Sequence, residues 1–178
     1  MRRKLFTILF ISIFSLFIAA CAEEEVEEVL IAETVSQGHL HFDIPKGFLL
    51  NAEKSDETTF LYESELHEIS KVIYRKLEND GSFDSIQGAS TLEAIKTHNW
   101  DTYLARTNPE ITHEERLELA DRSVYKYIVS YNLYDAPMLH FHCYVEDGDQ
   151  IHHIEYIAVE EEGYNTSFRT YFEGIHIH

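Results

Sequence analysis

Basic residues are scarce in this chain: 14 Lys and Arg stand against 32 Asp and Glu over 178 residues. That balance repels phosphate backbones and excludes nucleic-acid binding. The motifs of nucleophilic and nucleotide chemistry are missing too, with no Gly-x-Ser-x-Gly elbow, no catalytic-cysteine signature and no Gly-rich phosphate loop. These absences argue against an enzyme. Outside the N-terminal leader no segment comes near the ~18 consecutive apolar residues of a membrane-spanning helix. No internal repeat is present, and the one low-complexity stretch is the glutamate-rich segment near 22–37.

What is there begins with the leader. Arg2, Arg3 and Lys4 precede an apolar run from Leu5 to Ile18, which is followed by Ala19, Ala20 and Cys21. A cationic start, a short apolar stretch and small residues before a cleavage point are the order a signal peptide requires. The Ile18-Ala19-Ala20-Cys21 ending resembles the lipobox of bacterial lipoproteins. That resemblance implies a signal peptide over 1–20, a diacylglycerol on the Cys21 thiol, and an extracytoplasmic protein anchored to the bacterial membrane. Two acyl chains give stable attachment where one gives only marginal, reversible binding.

Removing the leader leaves 158 residues, enough for one domain with a full core. Loss of Arg2, Arg3 and Lys4 leaves 11 basic against 32 acidic residues, a net charge of −21. Such a surface repels anionic headgroups, so the lipid must anchor the domain without help from a basic patch. With Cys21 acylated, Cys143 has no disulfide partner and reads as a buried structural thiol. Six glutamates within 22–37 favour a solvated tether over 21–37, and a single domain is expected over 38–178.

Alternating apolar residues predict strands at 39–44, 58–62, 71–75, 124–133, 138–145 and 151–159. A capping box at Ser90–Glu93 opens an expected helix carrying Leu92, Ile95, Trp100, Tyr103 and Leu104, with Asn108-Pro109 ending it. A second helix places Phe168, Tyr171 and Phe172 on one face. The expected class is therefore α+β: an antiparallel sheet packed by two main helices. Phe42-Asp43-Ile44-Pro45-Lys46-Gly47-Phe48, the central helix, the tyrosine-rich strand, the Asp147-Gly148 hairpin and the terminal Phe-x-x-Tyr-Phe helix occur in an order that resembles PsbP-like (DcrB-type) lipoproteins. The same fold is shared by a Ran-binding nuclear import factor. The resemblance spans about 38–178, carries over no site residue, and implies a PsbP-like sandwich acting as a non-enzymatic accessory or binding domain.

Histidine is the over-used reactive residue, and all 11 fall after the leader. The pairs His39/His41, His140/His142 and His176/His178 are spaced by two, so each pair shares a strand face. A two-residue Asp147-Gly148 turn would set His142 opposite His153 and His140 opposite Glu155. That makes His140, His142, His153 and Glu155 candidate zinc ligands, since imidazole and carboxylate donors suit zinc. Half-burial of an antiparallel sheet favours the plainer expectation that these histidines face solvent opposite Leu139, Phe141, Cys143 and Val145. The tyrosines at 125, 127 and 131 read as core packing. The expected function is a lipid-anchored, non-catalytic accessory domain for an envelope protein partner, with no cofactor beyond the lipid. A zinc-binding envelope lipoprotein is the alternative.

Overall fold

The computed structural model describes residues 31–79, 107–119, 122–160 and 162–178. The leader, Cys21, the tether up to residue 30 and the helix expected near 90–104 lie outside the described residues. Within them the chain forms β1 (Ile31–Gln37), β2 (Leu40–Pro45), β3 (Phe48–Leu50), β4 (Thr59–Ser64), β5 (Lys71–Glu78), β6 (Thr107–Leu119), β7 (Arg122–Leu133), β8 (Ala136–Asp147), β9 (Gln150–Val159), α1 (Glu162–Glu173) and β10 (His176–Ile177). Two antiparallel sheets result, a small one ordered β1-β2-β10 and a large one ordered β3-β4-β5-β9-β8-β7-β6.

This corrects the expected α+β class with two main helices. The described residues are mostly strand and hold a single helix. Asn108-Pro109, expected to terminate a helix, instead lies inside β6. Proline, which cannot donate to a ladder, is tolerated there because β6 is an edge strand and its pairing is irregular between Thr107 and Glu110. The tether boundary also differs: Ile31–Gln37 pairs with β2 as a strand, so ordered structure starts before the expected residue 38.

One face of the large sheet carries the apolar core. Val124 and Ile128 of β7, Leu139, Phe141, Cys143 and Val145 of β8, and Ile154, Tyr156 and Ala158 of β9 pack with Leu40, Phe42 and Ile44 of β2. Phe168, Tyr171 and Phe172 follow the i, i+3, i+4 spacing and place the apolar stripe of α1 in the same core. Fully burying one such aromatic contributes about 1.5–3 kcal/mol. The Lys126 Nζ, buried beneath the helix end, donates to the Phe172 carbonyl at 3.1 Å and so serves one of the last carbonyls of α1. Cys143 belongs to this core as expected, and burial pushes its thiol up to about 12.

Turn chemistry sets the register of the meander. β7 and β8 are joined by Tyr134-Asp135, both with positive φ (50° and 68°), the conformation of a two-residue hairpin loop that twists with its strands. β8 therefore opens at Ala136, two residues earlier than the strand expected from 138. Between β8 and β9 the loop is Gly148-Asp149 rather than Asp147-Gly148. Asp147 pairs with Gln150, and the left-handed position (φ 64°) falls on the glycine.

A buried histidine–glutamate cluster

That register decides the candidate site. His142 faces Glu155 rather than His153, and His140 faces Ile157 rather than Glu155. The displacement moves each partner by two residues, so the pleat is preserved and all four side chains stay on one face. What sequence reading placed directly opposite now meets diagonally. His140 Nε2 lies 2.8 Å from Glu155 Oε2, and His142 Nδ1 lies 3.0 Å from His153 Nε2. His142 Nδ1 is 3.9 Å from Glu155 Oε2, and His153 Nδ1 is 3.6 Å from Glu155 Oε1.

The expectation that these histidines face solvent is overturned. Relative exposure is 6% for His140, 1% for His142, 4% for His153 and 6% for Glu155. The reason is a second buried cluster on this face of the sheet, built from Tyr125, Tyr127, Val129, Tyr131, Met138, Tyr144 and Ile151. The tyrosine row is thus core, as expected, and it encloses the polar group. His142 stacks on Tyr127 with ring centroids 4.6 Å apart, His153 stacks on Tyr144 at 3.9 Å, and His140 lies 3.8 Å from His142.

Burial fixes the protonation states. Desolvation first, and then the nearby Arg75 guanidinium, push His140 down to about 3. Burial likewise holds His142 and His153 well below the ordinary histidine range. All three imidazoles are therefore neutral at physiological pH, each with one ring nitrogen carrying a lone pair. The carboxylate charge of Glu155 is balanced by Arg75, which forms an ion pair with it from β5. Arg75 sits directly across from His153, and its side chain is 39% exposed, so it reaches the cluster from the rim.

Arg75 is the site residue that sequence reading missed. Its alternation with Val72 and Tyr74 was legible, but the pairing of β5 with β9 crosses some eighty residues and leaves no local signal. Chemically, the cluster offers nitrogen and carboxylate donors of the kind zinc takes. One donor atom each from His140, His142 and Glu155 lies within 4.8 Å of the others, and His153 borders the same point.

No protein-family model matches this chain, and no curated protein matches it by sequence. Among solved structures, the chain is similar to the solution structure of cyanobacterial PsbP (CyanoP) from Synechocystis sp. PCC 6803. The TM-score is 0.56 at 13% identity, covering 82% of this chain and 92% of that one. A Pseudomonas aeruginosa protein of unknown function, described as a putative regulator, aligns at TM-score 0.47 and 6% identity over 78% of this chain and 91% of its own. The first likeness shows a PsbP-like fold, the resemblance stated from the sequence.

Proposed function

We propose that this chain is a non-catalytic accessory domain, held outside the cytoplasm on a membrane surface by lipid on Cys21, whose ligand is a zinc-like divalent ion bound by His140, His142 and Glu155. One observation carries the metal assignment: three donor side chains of the right chemistry, all buried, converge within 4.8 Å. Tetrahedral zinc with metal–ligand distances of about 2.0–2.2 Å needs donors about 3.3–3.6 Å apart, which small rotamer adjustments would supply. His153 is placed either to complete the set or to orient His142 through their shared hydrogen bond. Metal entry would draw Glu155 away from Arg75, whose half-exposed side chain can turn to water. A closed site on two rigid strands suits holding an ion more than presenting it to a substrate. The PsbP-like fold and the lack of catalytic signatures support an accessory role at the envelope, where the metal-loaded domain would serve a protein partner.

The test is a calorimetric zinc titration of the detergent-purified protein beside a His140→Ala/His142→Ala variant and Glu155→Gln. Sub-micromolar binding that both variants weaken is the expected result; binding that is weak, or equal in all three, rejects the assignment. The anchor is tested separately. A Cys21→Ala protein should leave the membrane fraction and take up no labelled fatty acid.

A further inference from the structure

The small sheet brings together histidines that lie more than a hundred residues apart in the chain. β10 pairs with β2 so that His176 faces His41 and Ile177 faces Leu40. The His178 N–H donates to the His39 carbonyl at 2.9 Å, which continues the same ladder by one more pair. By the period of the pleat, His41 and His176 project from one face, while Leu40 and Ile177 point to the core on the other; His39, in the turn before β2, and His178, just after β10, flank them. His39, His176 and His178 are exposed and His41 is half-buried. Directly opposed residues on an antiparallel pair have Cβ atoms about 4.5–5.5 Å apart, within the span of two imidazoles on one ion. The His41 and His178 rings already meet with centroids 5.0 Å apart.

We propose that His39, His41, His176 and His178 form a second, solvent-facing metal site, suited to Cu(II) or Ni(II). It is independent of the buried cluster, shares no residue with it and stands on the other sheet. Three features argue for it. Imidazoles gathered where β2 and β10 pair offer the several nitrogen donors that tetragonal Cu(II) and Ni(II) take. His41 is already oriented: its Nδ1 lies 2.8 Å from the Ser36 hydroxyl of β1, leaving Nε2 for the ion. Asp43, two residues along β2 and on the same face, is held by the Thr34 hydroxyl at 2.6 Å and places a carboxylate beside the site. The net −18 of the full chain further favours cation capture.

The experiment titrates Cu(II) into the detergent-purified full chain, reading affinity by calorimetry and nitrogen ligation by electron paramagnetic resonance. Micromolar or tighter binding of one equivalent with several nitrogen ligands is expected. A His176→Ala/His178→Ala variant should lose at least tenfold in copper affinity while its zinc binding is unchanged. Because that variant removes side chains at a two-residue strand, His39→Ala/His41→Ala, in the turn before β2 and at its start, must give the same loss with unchanged circular dichroism. Copper affinity equal to wild type in both variants overturns the site. So does copper binding that is lost only in His140→Ala/His142→Ala, which would put the ion in the buried cluster.

Discussion

Through β7, β8 and β9 the two faces of the large sheet are both removed from water, but they are made of opposite materials. Beneath α1, Phe141, Cys143, Val145, Ile154 and Tyr156 interlock with Phe168 and Phe172 in an almost wholly apolar core. Across the same strands, one residue out of step, His140, His142, His153 and Glu155 sit among tyrosines. The apolar face is stabilised by every contact it makes, while the polar face must first offset the cost of drying three imidazoles and a carboxylate. Replacing buried ionic groups with well-packed apolar residues is often neutral or stabilising. Ligand binding, proposed above, is a role that such a polar face can serve and an apolar one cannot.

The contrast can be broken first where it is greatest. Phe141→Ala should cost about 3–5 kcal/mol in urea denaturation, because the ring leaves a cavity between Phe168 and Phe172. Replacing His140, His142, His153 and Glu155 together by Leu, which strands no buried partner of the pairs they form, should leave stability near wild type while abolishing zinc binding. A loss as large as that of Phe141→Ala would mean that the histidines are structural and the contrast is false.

Zinc should stabilise the protein by about 2.7 kcal/mol at a free concentration one hundred times its dissociation constant. Thermal melts with and without chelator read this, and the gain should vanish in Glu155→Gln.

Acid sharpens the comparison further. The folded-state pKa values of His140, His142 and His153 lie below their unfolded value of about 6.5, so the unfolded chain binds protons that the folded chain refuses. Their contribution to stability is therefore complete above that value and is lost as pH falls through the window down toward about 3 for His140. The slope is about 1.4 kcal/mol per pH unit for each histidine. In the protein with all four residues replaced by Leu, chemical denaturation at successive pH values should show most of that slope gone.

The smallest expected effect lies outside both faces. Asp135→Gly removes a side chain from a left-handed turn position (φ 68°) and should raise stability by about 0.5–1 kcal/mol without altering metal binding. A decrease would show that the Asp135 side chain contributes contacts outweighing its backbone strain.

Much of this molecule was legible in single residues. Alternation through Val124–Leu133 placed Tyr125, Tyr127 and Tyr131 together, and they share the second core. The Phe168, Tyr171 and Phe172 spacing named the buried stripe of α1. The candidate site survived a wrong turn assignment because moving the loop from Asp147-Gly148 to Gly148-Asp149 changes which residues face each other without changing the face they share. The proportion of strand to helix was misjudged, since a proline that ends a helix is equally at home in an irregular edge strand.

The sequence by itself determined the local things: strand periods, the apolar helix stripe, and the parity that keeps His140, His142, His153 and Glu155 on one side. These follow from short-range backbone geometry, which a few neighbouring residues suffice to fix. Tertiary structure alone decided that the second face would be buried, that β5 would carry Arg75 to Glu155, and that β10 would lay His176 and His178 beside His41 and His39. Those outcomes depend on which distant strands find each other. The free energy of such pairings comes from surface buried across the whole chain, and no local window of the sequence contains it.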